Sequence, residues 1–138
     1  MRREARFRAL ADLRYEIRRF LNFSEQVARE AGVEPQQHQA LLAIRALPKP
    51  DAATIGALAE RLQVQHHSAV ELTDRLEKRR LIRRSRNKAD RREVLLGLTR
   101  RGERLLERLS AAHRRELRVA GPKLMRALKN VLAREPHP

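Results

Sequence analysis

The segment from Thr54 to Gly102 constrains the fold of this chain more than any other part. Thr54 is a favourable N-cap, and the apolar residues that follow it at three- and four-residue intervals predict a short helix. Gln63-Val64 predicts a tight turn, and a second helix is predicted from about His66 to Arg79. Two short helices joined by a tight turn form a helix-turn-helix, so this motif is expected in the middle of the chain.

A basic hairpin is predicted directly after these helices. Leu81-Ile82 opens a strand, Arg86 to Arg91 is a polar turn, and Glu93 to Leu98 is the return strand. A hairpin in this position is the wing of a winged helix-turn-helix. We therefore predict a mainly α-helical fold with a small β-hairpin wing, in which Asp90-Arg91-Arg92 lies at the wing tip.

Long amphipathic helices are predicted on both sides of this segment. Apolar residues recur at helical spacing from about Arg3 to Ala31, and Gly32 ends that helix. Thr99 caps a second long helix, which we expect to break near Gly121-Pro122 before a final helix. Glu135 to Pro138 is expected to be a frayed tail.

A shorter helix is predicted between the first long helix and the helix-turn-helix. Glu34-Pro35 starts it, because proline is favoured in the first turn, and Pro48 and Pro50 stop it. A short loop from Pro48 to Ala53 follows.

The length of the first helix predicts a dimer. A helix of about thirty residues cannot bury its whole apolar stripe on one small lobe, so part of the stripe is expected to meet another subunit. A helix of a bundle within one chain is the alternative. We predict one domain, residues 1–138, in which residues 34–100 form the winged lobe and residues 1–32 and 101–134 form N- and C-terminal dimerisation helices.

The charge of the chain favours a polyanionic partner. Lys and Arg number 32 against 17 acidic residues, which gives a net charge of +15, and nucleic acid is the commonest polyanion. One Tyr, three Phe and no Trp provide few platforms on which RNA or single-stranded DNA could stack, so duplex DNA is the expected partner. An architectural protein that binds DNA without sequence preference is the alternative, because the charge alone would support it.

Several protein classes are disfavoured by what the sequence lacks. Without cysteine there is no disulfide, thiol-based sensor or cysteine-rich zinc site. No apolar run approaches the roughly 20 residues needed to cross a bilayer, so we expect a cytoplasmic protein with no membrane partner. No nucleophile–base arrangement, glycine-rich phosphate loop or catalytic carboxylate pair is present, so neither an enzyme nor a cofactor is expected.

An ordered series of motifs resembles the multiple-antibiotic-resistance regulator (MarR) family. The motifs are Leu58-Ala59-Glu60-Arg61-Leu62, Arg75-Leu76-Glu77, Leu81-Ile82-Arg83-Arg84, Asp90-Arg91-Arg92 and Leu98-Thr99-Arg100-Arg101-Gly102. The resemblance implies a winged-helix homodimer that binds palindromic operators, usually as a repressor relieved by a small ligand. Family members commonly have glycine where Arg80 stands. We expect the helix before it to end slightly differently here, because arginine adopts the left-handed conformation only at some cost.

The helix from His66 to Arg79 is the predicted recognition helix. A wheel at about 100° per residue places Ala69, Leu72 and Leu76 inward. The first turns are expected to meet base edges in the major groove, with five candidate residues: His66, His67, Ser68, Val70 and Glu71. Ion pairs within the helix are the alternative for its acidic residues. A pair with Arg75 is as well supported as a base contact for Glu71, and a pair with Lys78 is the preferred hypothesis for Asp74.

The wing residues carry roles implied by the resemblance. Arg92 matches the family arginine that enters the minor groove, and Asp90 matches the acid that pairs with it and fixes its direction. A guanidinium suits a narrow minor groove because the negative potential is enhanced there. Arg86, Lys88 and Arg91 are predicted to contact phosphates, which orient the protein without reading the sequence.

The resemblance also implies an anionic aromatic effector that binds between the dimerisation helices and the winged lobe. His38 falls in that region and could hold a carboxylate together with Arg14, Arg18 or Arg45. A partly exposed histidine satisfied by Gln36, Gln39 or water is the alternative. No metal site is predicted: His38, His113 and Glu116 come from different helices, and the adjacent His66-His67 cannot chelate from one helix face.

Overall fold

The computed structural model describes residues 2–48 and 52–133. Its elements in chain order are α1 (Arg3–Glu30), α2 (Pro35–Ala46), α3 (Ile55–Leu62), α4 (His66–Lys78), β1 (Ile82–Arg86), β2 (Val94–Leu98) and α5 (Arg100–Leu132). This composition confirms the predicted fold class, mainly α-helical with a hairpin wing. The chain forms two compact units. The winged unit comprises residues 28–109, and the helical unit comprises residues 2–27 and 110–133.

Gly32 ends α1 as predicted. Its φ of 84° lies in the left-handed region, where glycine carries no steric penalty. The Gly32 N–H donates to the Arg29 carbonyl at 3.0 Å, and the Val33 N–H donates to the Ala28 carbonyl at 3.0 Å. This pair of bonds satisfies the last carbonyls of the helix and turns the chain towards α2.

The start of α2 also agrees with its predicted caps. Pro35 occupies the first helical position, where its missing N–H costs nothing, and the Glu34 N–H donates to Gln37 Oε1 at 3.0 Å. The helix ends at Ala46, two residues before Pro48. Residues 49–51 of the predicted loop and the predicted tail from residue 135 lie outside the described residues.

The helix-turn-helix is present where it was predicted. Thr54 Oγ1 accepts a hydrogen bond from the Ala57 N–H at 3.1 Å and so caps α3. Gln63 follows α3 with a φ of 56°, and its N–H donates to the Glu60 carbonyl. This left-handed residue provides the tight turn that leads into α4.

Arg80 adopts the left-handed conformation that glycine commonly provides in the MarR family. Its φ is 59°, its N–H donates to the Glu77 carbonyl at 2.9 Å, and the Leu81 N–H donates to the Leu76 carbonyl at 3.0 Å. These two bonds form the usual glycine-type helix end. The expectation of an altered end is therefore wrong. The buried side chains of Leu76 and Leu81 and the bond from Thr99 Oγ1 to the Arg80 carbonyl at 2.6 Å hold the strained residue in place.

The wing is an antiparallel hairpin that is joined to the start of α3. Ile82 pairs with Leu98 and Arg86 pairs with Val94. The Leu96 N–H also donates to the Ala53 carbonyl at 2.7 Å, and Thr54 and Leu95 form an isolated bridge. The base of the wing is thereby attached to the helix-turn-helix. This third segment was not predicted, because the residues around Ala53 have no strand pattern of their own.

Helix α5 is capped as predicted but does not break where predicted. The Gly102 N–H donates to Thr99 Oγ1 at 3.1 Å. The helix then continues to Leu132 with Pro122 inside it, so the expected break near Gly121-Pro122 is wrong. A proline removes one backbone donor and crowds the preceding turn. The apolar residues beyond it keep their helical spacing, and Ala127 is buried, so packing on that side offsets the local cost.

The winged unit has a shared core. Its largest buried apolar side chains come from α2, α3, α4, the start of the wing and α5: Leu41, Leu58, Leu76, Leu81, Ile82 and Leu109. The wing strands therefore pack on the same apolar cluster as the helices, which fixes the position of the hairpin base.

Candidate nucleic-acid interface

The first turns of α4 present a solvent-exposed face. The residues predicted to contact bases share this face: His66, His67 and Glu71 are exposed, and Ser68 and Val70 are partly buried. On the opposite face Ala69, Leu72 and Leu76 are buried, as the helical wheel predicted. The buried face anchors the helix in the winged unit, and the opposite face is available to a groove.

Asp74 and Arg75 of α4 have partners outside this helix. Asp74 accepts a hydrogen bond from Arg84 of β1, so the preferred hypothesis of an Asp74 pair with Lys78 is wrong. Arg75 Nη1 lies 3.9 Å from Oε2 of Glu34, the N-cap residue of α2. Spacing along one helix could not indicate these partners, because they come from elsewhere in the fold. Glu71 keeps an exposed carboxylate on the face predicted to contact bases.

The turn of the wing is closed by its own polar groups. Asn87 Oδ1 accepts from the Ala89 N–H at 2.9 Å, and Asn87 Nδ2 donates to Glu93 Oε2 at 2.9 Å. The Asn87 N–H also donates to the Glu93 carbonyl at 3.0 Å. An asparagine that bonds to the backbone two residues ahead favours a turn, so this residue gives the tip a defined shape.

Asp90 and Arg92 are in contact at the wing tip. Asp90 Oδ1 accepts from the Arg92 N–H at 3.1 Å and lies 3.5 Å from Arg92 Nε. The Arg92 side chain is 95% exposed and the Asp90 side chain is 50% exposed. An ion pair this exposed contributes little to folding stability. Its effect is to restrict the direction in which the guanidinium extends, and the assigned minor-groove role remains a prediction.

The three predicted phosphate ligands, Arg86, Lys88 and Arg91, are all exposed on the wing. Arg86 Nη1 donates to the Arg91 carbonyl at 2.8 Å, so part of its guanidinium is used within the hairpin. Together with Arg92 they place four cationic side chains on one hairpin, which suits a polyanionic backbone.

Arg84 is a residue of this surface that the sequence analysis missed. Its Nη2 donates to Thr73 Oγ1 at 2.9 Å and to the Asp74 carboxylate, so it connects β1 to α4. Alternation along a strand places Arg84 on the same face as the buried Ile82. An arginine at an inward-facing strand position was the available signal, because such residues are rarely buried without partners.

The candidate effector residues are divided between the two units. His38 is buried in α2, which excludes the alternative of a partly exposed histidine. Arg45, also in the winged unit, places its Nε 2.6 Å from Glu103 Oε1. Arg14 and Arg18 are exposed residues of α1 in the helical unit.

In the part of the chain that the structure describes, no group of three or more His, Asp or Glu side chains is placed to hold a metal ion. No helix within residues 2–48 and 52–133 has the length and apolar character that a bilayer-spanning segment requires.

Two short helices joined by a left-handed turn, followed by a hairpin with a basic tip, define a winged helix-turn-helix protein. Residues 31–93 match the model of the MarR family. The sequence is 34% identical over 83 residues to the HTH-type transcriptional repressor MdtR of Bacillus subtilis, an alignment that covers 60% of this chain and 52% of MdtR. The chain thus spans about half the length of this relative. The resemblance to the MarR family that the motifs predicted is thereby confirmed.

Solved structures show the same fold. A mutant of S. aureus MepR bound to an oligodeoxyribonucleotide superposes with a TM-score of 0.67 at 23% identity, over 77% of this chain and 76% of MepR. Bordetella bronchiseptica BpsR, whose DNA binding is regulated by 6-hydroxynicotinic acid, superposes with a TM-score of 0.66 at 22% identity, over 87% of this chain and 86% of BpsR. Members of the MarR family are transcription regulators, which confirms the prediction that this chain is not an enzyme.

Proposed function

We propose that this protein is a sequence-specific transcription regulator that binds duplex DNA through α4 and the wing. The observation that carries the proposal is the placement, within one compact unit, of the exposed first turns of α4 and of the Arg92 guanidinium held by Asp90. One element has the shape for a major groove, and the other has the charge for a narrow minor groove. The oligodeoxyribonucleotide bound to MepR, a protein of the same fold, supports a DNA partner.

Base recognition is assigned to the exposed turn of α4. His66 and His67 can donate to guanine or phosphate, Val70 can contact a thymine methyl, and Glu71 can accept from a cytosine amino group. Ser68 can donate or accept. Arg92 reads the minor groove with its direction fixed by Asp90, and Arg86, Lys88 and Arg91 anchor the hairpin on phosphates.

The helical unit is proposed to hold two copies of the chain together. Among the described residues, all the large exposed hydrophobic side chains except Leu42 lie in this unit: Phe7, Leu10, Tyr15, Ile17, Leu21, Leu117, Val119, Met125, Leu128 and Leu132. Its buried side chains are small, with Ala9, Ser24 and Ala127 among them. A monomer rarely exposes apolar surface so concentrated, so a second copy is the occupant that best accounts for it. A homodimer would present two copies of α4 and favour a palindromic operator.

Competition between duplexes tests the proposed function. We expect a complex of the wild-type protein with a duplex selected from a random-sequence pool to survive roughly a thousandfold excess of random duplex. Sedimentation should give two chains per duplex, and the selected sequence should contain two half-sites about one helical turn, near 34 Å, apart. If random duplex competes equally well, the net charge of +15 explains the binding and the protein is an architectural DNA-binding protein.

We propose that operator binding represses transcription. The protein is proposed to act in the cytoplasm, where the DNA of its bacterial relatives lies. MdtR, which matches this chain over part of its length, is a transcriptional repressor. Deleting the gene should then raise transcription from the promoter beside the mapped operator. A fall in that transcript would identify an activator instead.

An anionic aromatic effector is proposed to release the DNA. 6-Hydroxynicotinic acid, an aromatic carboxylic acid, regulates DNA binding by BpsR. His38 and Arg45, both in the winged unit, are the proposed carboxylate ligands, and an incoming carboxylate would compete with Glu103 for Arg45. Titrating the protein–duplex complex with 6-hydroxynicotinate and benzoate should release the duplex, and Arg45→Met should require about tenfold more ligand. Benzyl alcohol, which lacks the charge, is the control. Retention of the duplex at saturating concentrations of both acids would exclude this effector class.

A further inference from the structure

Arg84 connects the wing to the recognition helix through several polar contacts. Its side chain is only 26% exposed, and its Nη2 donates to Thr73 Oγ1 at 2.9 Å and to the Asp74 carboxylate. Its Nε lies 3.8 Å from Glu77 Oε2. One guanidinium on β1 therefore contacts three side chains within little more than one turn of α4.

Thr73 carries this connection into the helix backbone. Thr73 is fully buried, and its Oγ1 donates to the Val70 carbonyl at 2.8 Å while accepting from Arg84. The hydroxyl has one donor and two acceptor sites, so both bonds can form at once. A continuous series of hydrogen bonds thus runs from the wing strand to the turn of α4 that carries Val70.

Contacts of this kind restrict orientation more strongly than apolar packing does. A planar guanidinium that donates in a fixed geometry to a hydroxyl and a carboxylate permits little rotation, and charge-assisted bonds are stronger than neutral ones. An isolated two-stranded hairpin is only marginally ordered in water. A polar clamp near its base would therefore define the direction in which the wing extends from α4.

We propose that Arg84 is a positioning residue that fixes the wing relative to α4, so that Arg92 and the exposed turn of α4 engage one duplex together. This inference rests on the proposed DNA-binding function. When the two elements are already aligned, the second contact forms without a further ordering cost. When the clamp is lost, Arg92 must be ordered during binding and contributes less affinity.

The test is a double-mutant cycle between Arg84 and Arg92, which do not touch. Affinities for a duplex selected from a random pool are measured for wild type, Arg84→Met, Arg92→Ala and the double variant. We expect Arg92→Ala to weaken binding about tenfold in the wild-type background and only about twofold in the Arg84→Met background. Arg83→Met is the matched control. It removes the same charge from the adjacent, exposed strand position, and Arg92→Ala should still cost about tenfold there.

An equal cost of Arg92→Ala in the Arg84→Met and Arg83→Met backgrounds would overturn the positioning role. Circular dichroism and thermal melting show whether Arg84→Met is folded. If it is not, Asp74→Asn combined with Glu77→Gln removes the same ion pairs from exposed positions, and the cycle is repeated in that background. Failure of the proposed function has a different result, because the wild-type protein itself would then select no preferred sequence from the pool.

Discussion

Replacing Arg92 with alanine is expected to weaken operator binding by about 1–3 kcal/mol, which corresponds to roughly fivefold to 150-fold. Arg92 is 95% exposed at the wing tip, so its loss should leave the fold unchanged and remove only the guanidinium proposed for the minor groove. The slope of log affinity against log salt concentration should also fall in magnitude by about one, because one fewer cation is neutralised. Salt-titrated gel shifts measure both quantities, and sedimentation should show the same oligomeric state as wild type.

Arg91→Ala is the matched control for this experiment, since Arg91 is an exposed neighbour assigned only to phosphate. It should weaken binding to all duplexes alike. Arg92→Ala should in addition reduce the preference for sites flanked by A-tracts, whose narrow minor groove attracts arginine. An unchanged affinity after Arg92→Ala would remove the wing from the proposed interface.

Replacing Gly102 with alanine is expected to destabilise the winged unit by about 1–3 kcal/mol, and by more if the first turn of α5 cannot shift. A Cβ at position 102 would overlap the carbonyl oxygen of Leu81, a backbone atom that no side-chain rotation can move away. The same carbonyl accepts a hydrogen bond from the Thr99 N–H at 3.1 Å. Urea denaturation followed by circular dichroism should show a lower unfolding midpoint.

Gly121→Ala is the control in the same helix. A Cβ there would meet nothing within 4 Å, so alanine should raise the free energy of unfolding by about 1 kcal/mol through helix propensity alone. A lower free energy of unfolding for Gly102→Ala and a higher one for Gly121→Ala would separate the steric effect from helix propensity. Stabilisation by both would contradict the close approach of Gly102 to Leu81.

Much of the fold could be predicted because its boundaries depend on local chemistry. Gly32, Thr54 and Thr99 each act within three residues of a helix end, and strand alternation is a property of the strand itself. The continuation of α5 through Pro122 could not be predicted, because it depends on whether packing beyond the proline offsets the lost bond. The attachment of β2 at Ala53 depends on a tertiary contact that leaves no pattern in the sequence.

The candidate site likewise has features that could be predicted from the sequence and features that could not. The exposed face of α4 follows from helical periodicity, and the pairing of Asp90 with Arg92 was implied by the resemblance to the MarR family. The partner of Asp74 and the burial of His38 depend on which element packs opposite them. Arg84 occupies an inward-facing strand position, but its partners Thr73 and Asp74 depend on α4 packing opposite the strand.

Different residues of α4 are assigned to DNA and to the wing, and this separation affects how operator preference can change. The residues assigned to bases occupy its first six positions, His66 to Glu71, whereas its contacts with the wing use side chains from Thr73 onwards. Substitutions in the first group can change the preferred operator sequence without altering the contacts that hold the wing against α4. A duplicated copy of this gene could therefore acquire a new operator through a few substitutions, without first having to rebuild the DNA-binding surface.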